Sequence, residues 1–373
     1  MRSSSGLHFI GLDHVRAVAV LMVFAWHFTH ATGGYPGTFE GAPAVFPLAL
    51  FDEGHTGVAL FMVLSGYLFA KLLDGKSINY LAFFWNRFIR LAPLLVLVLI
   101  LVGISRYAVG ESLGVYVANM VSGFVVPAWP NGGWSITVEM HFYIALPLLI
   151  YMSRRHKWAP VVFVAAAMAL RSIIFLMLGE IEYFAYYTII GRIDQFALGI
   201  TAFSYRHIFT GRHFSAVGIL TAFTIGFWNF DLAGGFYGTE RNPLWIILPT
   251  AEAVTYSSLI AYYDTSFKLG SAGISWAFSK IGEYSYSIYL LHTFFVFQLA
   301  EFVQRHFMDI SNFYVALAWS FACFTLMIPI GVISFTYVEA PFLRLRRVYT
   351  KPNTQVSLSI AAAALRSDQT SSC

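Results

Sequence analysis

Charge is scarce in this chain. Only 11% of its 373 residues are charged while 58% are hydrophobic; a soluble domain carries about 25% charged residues. A water-soluble globular fold is excluded on that ground. Cysteine is scarcer still: Cys323 sits in an apolar run and Cys373 at the last position. Neither has the spacing of a zinc site or a disulfide framework, so no metal is expected. A surplus of basic residues is missing too. Net charge is +4, from 23 Lys and Arg against 19 Asp and Glu, and the cations lie in short dispersed clusters. Nucleic acid is therefore not an expected partner.

What the chain has in abundance is long apolar runs. Stretches of about 20 residues, enough to cross a bilayer as a helix, occur near 12–31, 54–72, 88–107, 134–152, 159–178, 184–204, 214–232, 244–263, 284–303 and 313–337. Arg192, Asp194 and Glu252 interrupt two of them. The expected fold is an all-α integral membrane protein of about ten transmembrane helices with both termini cytoplasmic. Lys and Arg support this count: on one side lie clusters such as Lys71 to Arg90, Arg154 to Lys157 and Arg344 to Lys351, and on the other only Arg106, Arg241 and Arg305. That asymmetry is the positive-inside bias. Asp13, His14 and Arg16 interrupt the first run, so it is expected to be a retained span rather than a cleaved signal. Residues 31–52, rich in Gly and Pro, are expected to form an outer loop. The division expected is a membrane domain over 1–347 and a disordered cytoplasmic tail over 348–373. No connection is long enough to hold a soluble catalytic domain, and no inverted repeat is evident.

Ionisable residues inside the apolar runs are costly, and by default they mark function. Arg16 and His27 are eleven residues apart, close to three helical turns, so they share one face about 16 Å apart along the axis. Asp13 can pair with Arg16, and His30 extends the stripe. The alternative is that Arg16 snorkels to the interface and His27 bonds a neighbouring helix. In the fourth run Glu139 starts about 8 Å below the outer face, and His27 about 6 Å. A His and a carboxylate from different helices could meet there, as a general base with its partner or as a structural clamp. Arg192 and Asp194 can pair with each other. Glu252 and His292 lie near mid-membrane with their roles open, and Tyr284 to His292 reads as interface packing as readily as catalysis. Arg87 and Arg90, one turn apart before Pro93, form a cationic inner patch that is either a topology signal or a phosphate site.

Several ordered elements together resemble the acyltransferase-3 family of integral-membrane O-acyltransferases over about residues 10–347. They are Gly11-Leu-Asp-His-Val-Arg16 with His27, Phe61 to Leu68, Arg87-Phe-Ile-Arg90 with Pro93, Trp134 to Glu139 with Phe142-Tyr143 and Pro147, Arg192 with Gly199, Gly282 to His292, and Tyr337 to Pro341. Met140 and His141 stand where the family usually has Glu and Gln. The resemblance implies transfer of an acyl group, usually acetyl from acetyl-CoA, to a hydroxyl of a carbohydrate such as surface polysaccharide, lipopolysaccharide or a signalling oligosaccharide. It also implies that Arg16 and His27 are the required pair and that Arg87 and Arg90 contact CoA.

On this resemblance His27 is expected to be the general base, with Glu139 as its orienting partner. Arg16 would hold the donor or polarise its carbonyl, and Arg16, Arg87 and Arg90 would form the CoA-binding set. The acyl group would pass directly or through an acyl-His intermediate. Expected partners are acyl-CoA, a carbohydrate acceptor and the lipid bilayer, in the inner membrane if the source is bacterial. The rival class is a polytopic transporter or flippase using the same buried polar residues as a path.

Overall fold

A computed structural model of the chain describes residues 8–31, 42–236, 238 and 242–352. Residues 32–41 of the expected outer loop, Cys373, Arg241 and the tail from 353 onward lie outside the described residues. The helices are α1 (Ile10–Thr29), α2 (Ala49–Asp52), α3 (Thr56–Leu73), α4 (Tyr80–Ala108), α5 (Leu113–Ser122), α6 (Trp134–Arg155), α7 (Ala159–Leu178), α8 (Glu182–Tyr187), α9 (Ile189–Ser204), α10 (His213–Leu232), α11 (Leu248–Ser266), α12 (Gly273–Glu283), α13 (Ser285–Leu291), α14 (Val296–His306), α15 (Phe313–Ser334) and α16 (Ala340–Leu343). The only strands among the described residues, β1 (Lys76–Ile78) and β2 (Thr350–Pro352), pair antiparallel. The protein is an all-α membrane fold.

Each expected apolar stretch is helical over most of its length. Among the described residues, seven helices are long and apolar enough to cross a membrane: α1, α3, α4, α6, α7, α10, and α15 continued through a π turn to Leu343. An eighth crossing arises if α13 and α14 act as one bent unit, broken by 56°. The bend falls at His292–Phe294, a 3-10 turn where the straight span expected over 284–303 is interrupted. The stretch at 184–204 is likewise divided into α8 and α9 at Thr188, whose backbone is extended.

Close helix approach positions the core. A Cβ at Gly66 of α3 would lie 2.1 Å from the Phe196 carbonyl oxygen of α9, and one at Gly199 would lie 2.1 Å from that of Val63. Only glycine allows these backbones to touch, as membrane helix pairs commonly require. Inside this core Phe142 of α6 stacks on Phe196 at 3.9 Å between ring centroids.

The described residues after α16 are tied to α4. Asn86 of α4, fully buried, donates to the Arg347 carbonyl at 2.7 Å and accepts the Arg347 N–H at 2.8 Å. Trp85 donates to the Leu345 carbonyl at 3.0 Å, and Asn79 N–H to that of Tyr349 at 2.8 Å. These bonds make residues 344–352 a strap laid along α4 and β1.

Candidate active site

A cavity of about 190 Å³ opens between α1, α3, α4, α6, α13 and the strap. Arg16, Arg87, Arg90 and Glu139, singled out from sequence, all line it, and Arg346 and Tyr349 join them from the strap. Arg16 is hydrogen-bonded to buried Asp13 one turn earlier, as its spacing implies. Arg90 donates to Glu339 at 3.0 Å, and Glu339, fully buried in the π turn, also accepts from Ser287. Arg87 lies over the faces of Phe69 and Phe83, 5.2 and 5.7 Å from their centroids. Its Nε is buried without a hydrogen-bond partner.

The pairing expected between His27 and Glu139 does not form. Glu139 points into the cavity and accepts from the Tyr143 hydroxyl one turn on and from Ser65 at 3.5 Å. His27 lies outside the cavity's lining, and its ring faces His292 on the bent unit, 4.8 Å between centroids. The reason is rotational: α6 presents Glu139 toward α3, while His27 projects from α1 toward the break after α13.

The hydrogen bonds fix which ring nitrogens carry protons. Val23 offers His27 Nδ1 a carbonyl oxygen at 2.8 Å, which can only accept, so Nδ1–H donates and Nε2 holds the lone pair. The same logic applies to His292, whose Nδ1–H donates to the Tyr289 carbonyl at 2.5 Å. Its Nε2 lone pair then faces His27 Nδ1 at 3.4 Å. His292 is buried, whereas His27 keeps part of its surface accessible. Tyr289 joins the two regions, since it lines the cavity and sits 5.8 Å from His292, ring to ring. Such a site presents guanidinium groups at one end and an oriented imidazole at the other.

Residues 9–336 match the family model for an acyltransferase domain, the acyltransferase-3 model. The chain belongs to the acyltransferase-3 family. A Staphylococcus aureus (strain COL) protein named "Putative O-acetyltransferase" is 26% identical over 383 residues, covering 89% of this chain and 57% of that protein. Nodulation protein 10 of Rhizobium leguminosarum is 30% identical over 177 residues, 40% of this chain and 46% of its own. Peptidoglycan O-acetyltransferase OatA of Listeria monocytogenes is 28% identical over 178 residues, 39% of this chain and 24% of its own. This acyltransferase-3 chain thus spans about half the length, or less, of the curated relatives it matches. No solved structure matches it. The family match contains Arg16, His27, Arg87, Arg90, Glu139 and His292 and ends before Glu339 and Arg346.

A second polar cluster of the family chain lies between α7, α9 and α11. Arg192 and Asp194, expected to pair, are two residues apart and so leave the helix on nearly opposite sides. Asp194 instead takes Arg171 of α7 at 2.9 Å, both fully buried, with the Thr250 hydroxyl bonded to each at 2.5 Å. Arg192 donates to the Tyr186 carbonyl at 2.5 Å and to Gln195 at 3.0 Å, and Gln195 donates on to Glu252 at 3.0 Å. Apart from Arg171 Nε, which is buried without a hydrogen-bond partner, these groups satisfy one another and tie three helices together. Beyond them, outside the spans, Glu53 accepts the Phe236 N–H at 3.0 Å and lies 2.9 Å from His55, and burial raises its carboxyl to about 8.

Sequence reasoning missed Arg346, Glu339, Tyr143 and Ser65. Arg346 was hidden among Arg344, Arg347 and Lys351, where it reads as topology signal. Glu339, Tyr143 and Ser65 carried a signal, since all three belong to the motifs that give the resemblance.

Proposed function

We propose that this protein is a membrane-embedded O-acyltransferase that moves an acetyl group from acetyl-CoA to a hydroxyl of a carbohydrate at the bacterial inner membrane. The donor enters from the arginine end of the cavity on the cytoplasmic side, where both termini lie, and the chain crosses the bilayer ten times. The observation that carries this reading is the layout on α1. Arg16 faces an arginine-lined cavity, and His27, about 16 Å further along the axis, presents a free Nε2. An extended pantetheine arm bridges such a distance, with CoA phosphates at Arg16, Arg87 and Arg90 and the thioester near His27.

His27 Nε2 takes the proton of the acceptor hydroxyl as its oxygen forms a bond to the thioester carbonyl carbon. The C–S bond then breaks, and His27 returns the proton to the leaving thiolate. During this step Nδ1–H of the imidazolium stays shared between the Val23 carbonyl and His292 Nε2. His292 thus takes the orienting part first assigned to Glu139. Glu139 keeps a role in the cavity, where its carboxylate with Tyr143 and Ser65 lines the donor path. The names of the relatives support acetyl as the group and a glycan as the acceptor class.

The test is incorporation of label from radiolabelled acetyl-CoA into the glycan fraction of membranes carrying wild-type protein or His27→Ala at equal abundance. Label that depends on wild-type protein and vanishes with His27→Ala is the expected result. Equal label with both proteins would remove His27 from the mechanism, and no label from folded wild type would turn the reading to a transporter.

A further inference from the structure

We propose that Arg346, carried on the strap over 344–352, is a phosphate-binding residue for a nucleotide-linked acyl donor and so completes the donor site from outside the family match. This rests on the transferase reading above.

The strap is built to aim that side chain. Its flanking residues are fixed through backbone groups, Leu345 by Trp85 and Arg347 by both ends of the Asn86 amide. Tyr349 is buried against Phe83, 5.7 Å between centroids, and β2 continues the attachment along β1. Between these anchors Arg346 reaches the cavity lined by Arg16, Arg87 and Arg90. Four guanidinium groups therefore converge on one space.

The carboxylates near the cavity are Asp13, bonded to Arg16, Glu339, bonded to Arg90, and Glu139, held by Tyr143 and Ser65. Arg87 has aromatic faces beneath it and a buried Nε with no acceptor. Burial, with the charges of Arg90 and Arg87, outweighs the opposing pull of Tyr349 and Glu339 on Arg346 and lowers its guanidinium to about 10. Like charges crowded into a partly desolvated space are costly unless an anion joins them. A phosphate, multiply charged and able to accept the forked N–H groups of arginine, is the chemistry that fits. The donor offers it in two places, as a pyrophosphate or as a terminal monoester.

The experiment compares Arg346→Gln with wild type as full-length protein, using acetyl-CoA, acetyl-dephospho-CoA and S-acetylpantetheine. The expected result is a KM for acetyl-CoA raised about tenfold with kcat unchanged, and identical kinetics of the two proteins with S-acetylpantetheine, which has no phosphate. A difference that persists with acetyl-dephospho-CoA assigns Arg346 to the pyrophosphate, and one that disappears assigns it to the terminal phosphate. An equal loss with all three donors would show a structural role and overturn the proposal, as would an unchanged KM for acetyl-CoA. Should Arg346→Gln fail to accumulate, Arg346→Lys gives the same comparison, with a smaller rise in KM expected. Wild type inactive with every donor would overturn the transferase reading itself, an outcome distinct from an active enzyme indifferent to Arg346.

Discussion

Replacing His292 by Leu removes the acceptor that faces His27 Nδ1 while keeping the side chain apolar and of comparable reach. A hydrogen bond to a charged group contributes about 1.5–3 kcal/mol, and each 1.36 kcal/mol is tenfold in rate. Here the contact is long, at 3.4 Å, and the Nδ1–H retains the Val23 carbonyl at 2.8 Å. The lower end of the range applies, so kcat should fall about tenfold. KM for either substrate should hold, because the bond matters only when His27 carries the transferred proton. His292→Leu also strips the Tyr289 carbonyl of its donor, which costs about 1–3 kcal/mol of stability, so rates must be compared on protein shown to be folded. His292→Gln, with an amide oxygen that can accept from Nδ1–H, should recover part of kcat. Steady-state acetyl transfer at saturating donor and acceptor reads all three proteins. A folded His292→Leu enzyme with kcat within about twofold of wild type would refute the assignment, and so would a loss confined to KM.

Two further outcomes follow from buried charge. Arg90→Ala leaves Glu339, fully buried in the π turn, with Ser287 but without its ion-pair partner, so thermal denaturation in detergent should show a loss of about 3–5 kcal/mol; Arg90→Ala combined with Glu339→Gln should recover most of it. Glu53, raised by burial to about 8, binds its proton more tightly in the folded chain than when unfolded, where a carboxyl titrates near 4.5. Its contribution is therefore full below about pH 4.5 and is lost as pH rises toward 8, so thermal stability should decline across that window and Glu53→Gln should flatten the decline.

The apolar runs were legible because lipid imposes one rule on every span, and the helices lie where hydropathy puts them. The break at His292 was not, because Tyr284 to Phe295 keeps a helical composition throughout and the interruption arises where the His292 ring bonds the Tyr289 carbonyl. The Asp13 to Arg16 pair was readable from local spacing alone. Partners across helices were not: Arg192 with Asp194 and His27 with Glu139 were paired by proximity or depth, whereas helix rotation decided both cases. Arg171 and His292, the partners that do form, lie 23 and 265 residues from the groups they serve. Depth along an axis follows from counting residues; azimuth depends on which neighbour each helix packs against.

That distinction explains why α1 is the informative helix. Arg16 and His27 lie on one stripe of it, so a single rotation sets them together, and the surroundings along that stripe differ at its two ends. Across the cavity from Arg16 stand α4 and the strap, which supply Arg87, Arg90 and Arg346. At the His27 end the neighbour is the break after α13, where an interrupted helix exposes a histidine ring to a partner. Charge for anions and a neutral imidazole need opposite surroundings, since guanidinium groups beside His27 would disfavour its taking a proton. Separating the two by three turns of one rigid helix meets both requirements and fixes the length of any ligand that must touch them together.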